Sequence, residues 1–330
     1  MMADLFRRMR AAWYPAEYHG WGIRRRYFEG WYFKVVSPDE RHAFAFIPGI
    51  SMGRQGERHA FVQVMDGKAC QGHYFRFQDD GFHPAADRFE VGVGDNFFSA
   101  EEIRLQLPGF AGEIQTSGRV EWPKMLGAPG IMGWYSFVPF MECNHGVVSM
   151  SHRLHGHLAY TPAGEHSPQR ISFEGGKGYI EKDWGRSFPR AYVWMQTNHF
   201  PSAERASLMA SVAHIPWLSG HFIGSICGMW LEGRLYRFAT YTGAKHHLEL
   251  GEHSATLIFR HRREELRLHA VQAASTPLVS PLHGEMAGKI NESLQAQVGV
   301  QLLLDGHLVF EDTGRHAGLE LAGDLPVLMA

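Results

Sequence analysis

The residues best placed to do chemistry sit in four short segments rich in aromatic, acidic and amide side chains. In Gly178-Tyr179-Ile180-Glu181-Lys182-Asp183-Trp184-Gly185, strand alternation puts Tyr179, Glu181 and Asp183 on one face. The two acidic residues then lie about 6.6 Å apart along the strand. Two carboxyls that close in a poorly solvated site cannot both ionise freely, so one is expected to stay neutral near pH 7 and to serve as a proton donor. The blander arrangement is a solvated acidic face with Lys182 as the buried stem. In Tyr27-Phe28-Glu29-Gly30-Trp31-Tyr32-Phe33-Lys34-Val35, Glu29 shares a face with Tyr27, Trp31, Phe33 and Val35. A carboxylate there is either buried with a cationic partner or bent to an edge; it is the second candidate donor.

The third segment, Tyr192-Val193-Trp194-Met195-Gln196-Thr197-Asn198-His199-Phe200, mixes ring surface with amides on one face. Buried amides must find partners, so Gln196 and Asn198 line either a polar-tipped pocket or an internal network. The fourth runs from Pro139 to Ser149, contains Glu142 and His145, and is followed by His152, His155 and His157. His155 and His157 share a face as a metal pair would, but no third ligand joins them at a recognisable spacing. They read as structural histidines, and no metal is expected. Phosphate loops, dinucleotide fingerprints, the G-x-S-x-G elbow and H-E-x-x-H are all missing, so any catalysis rests on acids, aromatics and amides.

Strands must position these groups. Ile103-Arg104-Leu105-Gln106-Leu107 alternates without exception, which predicts Ile103, Leu105 and Leu107 inward and Arg104 and Gln106 outward. Runs ending at Asp66-Gly67, at Asp79-Asp80-Gly81 and at Asp305-Gly306 read as hairpins. Helix is expected only around Leu5–Ala12 and near Asn291–Ala296. With 330 residues, the chain has room for two eight-stranded barrels, the size that encloses one small ligand. The breakers between Thr161 and Gly176 place the boundary, giving residues 1–168 and 169–330 as two β-barrel domains. No sequence repeat supports the division.

A formal net charge of -2 supplies no basic field for nucleic acid. The runs Arg24-Arg25-Arg26 and Arg260-His261-Arg262-Arg263 are short and read as solvated edges. Three scattered cysteines suit a reducing, cytoplasmic compartment. The N-terminal residues lack the apolar core of a signal peptide, and His221–Leu231 is half the length of a membrane span. Aromatics at 13% exceed what strands and cores require and suit an apolar, unsaturated ligand.

At these segments the sequence resembles the tocopherol cyclase family. The matching pieces, in order, are Phe28-Glu29-Gly30-Trp31-Tyr32-Phe33-Lys34, then Glu181-Lys182-Asp183-Trp184-Gly185 with Phe188-Pro189, then Trp194-Met195-Gln196-Thr197-Asn198-His199-Phe200. Asp183 departs from the plant enzymes, which carry Asn there. Met141-Glu142-Cys143-Asn144-His145-Gly146 looks typical of bacterial relatives. The resemblance implies an all-β fold of two packed lipocalin-like antiparallel barrels, related to carotenoid hydratase-like proteins. It also implies a cofactor-independent reaction: protonation of a prenyl double bond, then capture of the cation by a phenol oxygen.

The residues suit that chemistry. Glu181, Glu29 and Asp183 are the candidate catalytic acids. Trp31, Trp184 and Trp194 are expected around one apolar cavity, where their rings could stabilise a tertiary cation by about 2 kcal/mol each. Gln196 and Asn198 suit a quinol head, and Tyr32, Glu142 and His145 are further candidate substrate-binding residues. The expected partner is an apolar isoprenoid-type molecule, with at most transient membrane contact to collect it. The alternative from the same pattern is a lipocalin-like carrier that binds such a molecule without changing it.

Overall fold

A computed structural model describes residues 9–329. Nearly all of its regular structure is strand. The first sheet contains β1 (Tyr27–Val36), β2 (Ala43–Met52), β3 (Arg58–Asp66), β4 (Gln71–Phe77), β5 (Phe82–Pro84) and β6 (Glu90–Val93). It continues with β7 (Asn96–Ser99), β8 (Glu102–Leu107), β9 (Phe110–Val120), β10 (Cys143–Tyr160), β11 (Gln169–Ser172) and β12 (Lys177–Gly185). The second contains β13 (Ala191–Thr197), β14 (Ala206–Trp217), β15 (Gly220–Leu231), β16 (Arg234–Ala239) and β17 (Lys245–Leu250). Its remaining strands are β18 (Ser254–His261), β19 (Glu264–Val271), β20 (Thr276–Leu282), β21 (Glu285–Leu304) and β22 (His307–Gly323).

One wiring plan builds both sheets. The first runs β4-β3-β2-β1-β12-β10-β9-β8-β7-β6-β5 and the second β16-β15-β14-β13-β22-β21-β19-β18-β17. In each, the first four strands meander outward, the chain steps to the far edge, and the last strand returns beside the first. The stepping turns are short: Asp79–Gly81 between β4 and β5, and Thr240–Thr242 before β17. Strands at opposite edges of a sheet can be joined that briefly only if the sheet curls until its edges approach, which is how an antiparallel barrel closes. Asp79-Asp80-Gly81 is therefore a closing turn of 3-10 helix and not the hairpin its sequence suggested. Asp305-Gly306 does close a hairpin, with φ of 51° and 80°, the left-handed pair that this turn requires.

Burial follows the alternation. In β8, Ile103, Leu105 and Leu107 are buried while Arg104 and Gln106 are exposed. The first core gathers Phe33, Phe44, Phe46, Phe98, Phe110 and Ile180; the second gathers Val193, Met195, Leu208, Phe238, Phe259 and Leu266.

By compactness the chain divides into two units. One holds the chain up to Asp66, then Gln71–Phe188 and Val279–Gly288; the other holds Gly67–Cys70, Pro189–Leu278 and the chain from Lys289 on. The boundary expected at 168/169 is thus corrected to the step between Phe188 and Pro189. The breakers of 161–168 form only the loop between β10 and β11, which pair directly. β12 then returns to the middle of the same sheet, between β1 and β10. Residues 9–13 are helical; the rest of the N-terminal helix expectation lies outside the described residues. The helix expected near 291–296 is instead part of β21. There pairing with β22 satisfies the backbone and overrides a weak local preference. No helix among the described residues is long and apolar enough to cross a membrane.

Candidate functional site

β12 carries two sites, one on each face. It is a central strand buried on both sides, so Glu181 and Asp183 project one way and Lys182 and Trp184 the other. Gly185 ends the strand with φ of 153°. A Cβ there would stand 2.2 Å from the carbonyl oxygen of Glu142, which explains the glycine that closes this motif.

On the inner face Lys182 and Glu29 form an ion pair whose side chains are both 0% exposed. The Lys182 ammonium sits 4.8 Å from the ring centroids of both Trp31 and Trp184. It also donates to the carbonyl oxygen of Glu17 and to His19 Nδ1, the latter at 3.1 Å. The Glu29 carboxylate receives the amides of His19 and Gly20 at 2.9–3.1 Å and the Tyr27 hydroxyl at 2.5 Å. Burial pushes Glu29 up from the usual carboxylate range against the pull of Lys182. Burial likewise brings Lys182 down to about 8 despite Glu29, so the ammonium form persists at neutral pH. Donors thus surround the Glu29 carboxylate, making it an acceptor and counter-ion and not the free acid expected of a proton donor. The cluster ties the segment 14–20 to the barrel wall.

Burial, with Lys182 nearby, holds His19 well below the usual imidazole range. Burial also lowers His59 to about 4 and His152 to about 3. The unfolded chain takes up these protons first, so stability falls as pH drops below about 6.5. Glu29, raised in the folded state, works against this over its own range. Three such histidines set an upper bound on the slope of about 4 kcal/mol per pH unit below pH 6, at roughly 1.4 kcal/mol per proton, and Glu29 reduces it. Urea unfolding midpoints measured between pH 7 and 5 should show it, and a flat profile would refute neutral buried histidines.

The outer face carries the acidic site. Asp183 Oδ1 lies 2.8 Å from His145 Nδ1, and His145 Nε2 lies 3.5 Å from Glu181 Oε2. The Tyr179 hydroxyl donates to that same Glu181 oxygen at 2.6 Å. Burial, and then Glu181, raise Tyr179 well above the usual phenol range, so it remains a donor. Strand register makes the cluster: Asp183 pairs across with His145 on β10 and Gly30 on β1, while Glu181 pairs with Val147 and Tyr32. Gly30 leaves the β1 side of Asp183 without a side chain. The imidazole is therefore held between two carboxyls, with Asp183 fixing its orientation and Glu181 at its other nitrogen. One donor atom from each of His145, Glu181 and Asp183 lies within 4.8 Å of the others, so these three could also hold a divalent cation.

The other expected residues fall as follows. Trp31 and Trp184 are both buried and both face the Lys182 ammonium. Trp194, Gln196 and Asn198 belong to the second unit, all buried, with the Trp194 ring over Gly318. Tyr32 is buried. Glu142 lies beside Gly185, its carboxyl raised by burial. His155 and His157 are exposed. Sequence reasoning had Lys182 as a possible buried stem, and it is buried; it missed His19, the pairing of Lys182 with Glu29 and the role of the tyrosines. A usable signal was present, because Tyr27-x-Glu29 and Tyr179-x-Glu181 each place a phenol two residues before an acid on one strand face.

Fold and site together define a two-unit all-β protein with an acid–imidazole cluster on a central strand. The chain belongs to the tocopherol cyclase-like family, whose profile matches residues 113–323; this range includes the β12 site but not β1. The chloroplastic tocopherol cyclase of Zea mays is 26% identical over 281 residues, covering 68% of this chain and 58% of that protein. A relative from Oryza sativa subsp. japonica is 25% identical over 275 residues, with the same coverage. The chain thus spans less than two thirds of these relatives. Among solved structures, CghA with Sch210972 superposes with a TM-score of 0.57 at 12% identity, over 90% of this chain and 89% of that one. An AttH-type protein from Nitrosomonas europaea gives 0.50 at 14% identity, over 90% and 92%. Both share the fold.

Proposed function

We propose that this protein cyclises a prenylated quinol or related phenol by acid catalysis, without a cofactor, in a reducing cytoplasmic compartment. The observation that carries the reading is the Glu181 carboxyl, 5% exposed, held by Tyr179 and standing beside a histidine that Asp183 orients. Glu181 Oε2 accepts from Tyr179, and the protonated carboxyl is the donor in this reading. Transfer of that proton to the prenyl double bond forms a C–H bond and a tertiary cation. The phenol oxygen closes the ring on the cation, and its proton returns to the Glu181 carboxylate directly or through His145. Atoms and charge balance, and nothing is oxidised. Family membership and the shared fold support the reading.

Turnover of a prenyl quinol in deuterated water tests it. The product should carry one deuterium, at the carbon next to the new carbon–oxygen bond, and unlabelled product would exclude alkene protonation. The rate should be unaffected by a chelator. Loss of activity to chelation with recovery on adding back zinc would instead assign His145, Glu181 and Asp183 to a metal.

A further inference from the structure

The two basic runs differ in how many of their arginines meet a carboxylate. In the second run Arg260 pairs with Glu265 at 2.6 Å, a carboxylate that Arg267 shares, and Arg263 with Asp305 at 3.3 Å, while Arg262 is exposed. Arg24, Arg25 and Arg26 are exposed, and no carboxylate among the described residues pairs with them. The loop at 53–56 lies alongside: the Arg26 amide donates to the carbonyl oxygen of Gly53 at 3.0 Å, and it adds Arg54, also exposed. Of the nearby acids, Asp79 pairs with Arg58 at 3.1 Å. Glu57 and Glu285 accept backbone amides at 3.0 and 3.2 Å and keep their charge, so the four arginines outnumber these two carboxylates.

Beside these arginines Trp21 is 42% exposed. Its indole stands edge-on to Tyr18 at 4.9 Å, and Tyr18 in turn packs on Phe82 at 5.2 Å. These three rings, with Ile23, Arg24 and Arg58, line a cavity of about 320 Å³. A fixed, half-exposed indole beside guanidinium groups that no described carboxylate pairs with matches the boundary of a bilayer, where the ring enters the headgroup layer and the cations meet anionic lipid.

We propose that Trp21 and the arginines at 24–26 dock this protein on anionic lipid bilayers. A prenylated ligand resides in such a bilayer, but the docking does not depend on the cyclase reading. Binding to vesicles of phosphatidylcholine with about one third phosphatidylserine tests it, because each basic residue at such a surface contributes about fivefold in affinity. The triple variant Arg24→Gln, Arg25→Gln, Arg26→Asn should bind on the order of 10²-fold more weakly. Asn is chosen at 26 because φ there is 54°, a conformation Asn tolerates. Salt near 1 M should abolish the difference by screening, and Trp21→Ala should weaken binding in a way that salt does not change. Circular dichroism controls for folding.

Equal binding to pure phosphatidylcholine, or an unaffected triple variant, would overturn the proposal. Displacement by millimolar inorganic phosphate at constant ionic strength would mark a free-anion site instead. Preferential retention by duplex DNA would assign the patch to nucleic acid.

Discussion

Glu181→Gln is expected to lower turnover of a prenyl quinol by 10² to 10⁴, the range of a positioned general acid. The amide keeps the shape of the carboxyl and can still accept from the Tyr179 hydroxyl, which donates to Glu181 at 2.6 Å, so the fold should be retained. It has no acidic proton to transfer. Ligand affinity should change little, because an apolar chain is held by buried area and not by charge, and the lost interaction forms only in the transition state. The loss should therefore fall on kcat, with quenching of tryptophan fluorescence by the ligand preserved. His145→Gln should give a smaller loss, since it removes the group that returns the proton while leaving the donor. A fully active Glu181→Gln variant would end the proton-donor reading. Because Glu29 is engaged as the counter-ion of Lys182, a carrier would then be the better account.

Lys182→Met is expected to destabilise the fold by about 3–5 kcal/mol, the usual consequence of leaving one member of a buried ion pair without its partner. Glu29 would keep the amides of His19 and Gly20 and the Tyr27 hydroxyl but lose its only described cation at ion-pair distance apart from the neutral His19. The carbonyl oxygen of Glu17 would lose a donor as well. Adding Glu29→Gln to Lys182→Met should recover part of the loss, since a neutral amide needs no counter-charge. Urea denaturation gives both numbers, read as a lower midpoint at unchanged slope. Hydrogen exchange at the His19 and Gly20 amides should accelerate in the single variant, as the segment they anchor comes away. A cost below about 1 kcal/mol for Lys182→Met would mean that the pair contributes little.

These two predictions place neighbouring residues of one motif in opposite roles, and the motif itself shows how far sequence reasoning reaches. Alternation along Glu181-Lys182-Asp183-Trp184 is a local property of an extended chain. It put Glu181 with Asp183 and Lys182 with Trp184, and the same rule oriented Ile103, Leu105 and Leu107. The fold class followed from repeated alternation with turn residues between, and the motif order carried the family. The helix expectation at 291–296 failed because a short polar stretch has little intrinsic preference, and a long ladder with β22 decided it.

What the sequence by itself determined was therefore which side chains share a face and which chemical groups are available. Only the tertiary structure decided that both faces of β12 are buried, that Glu29 meets Lys182 and that His145 stands against Asp183. It also decided that the first unit extends to Phe188 and that Trp194 belongs to the second. These facts depend on strand register between segments far apart in the chain, such as β1 and β12, where Glu29 pairs with Trp184 and Gly30 with Asp183. Register is set by the simultaneous pairing and packing of many strands. No local run of residues encodes which distant strand will lie beside it.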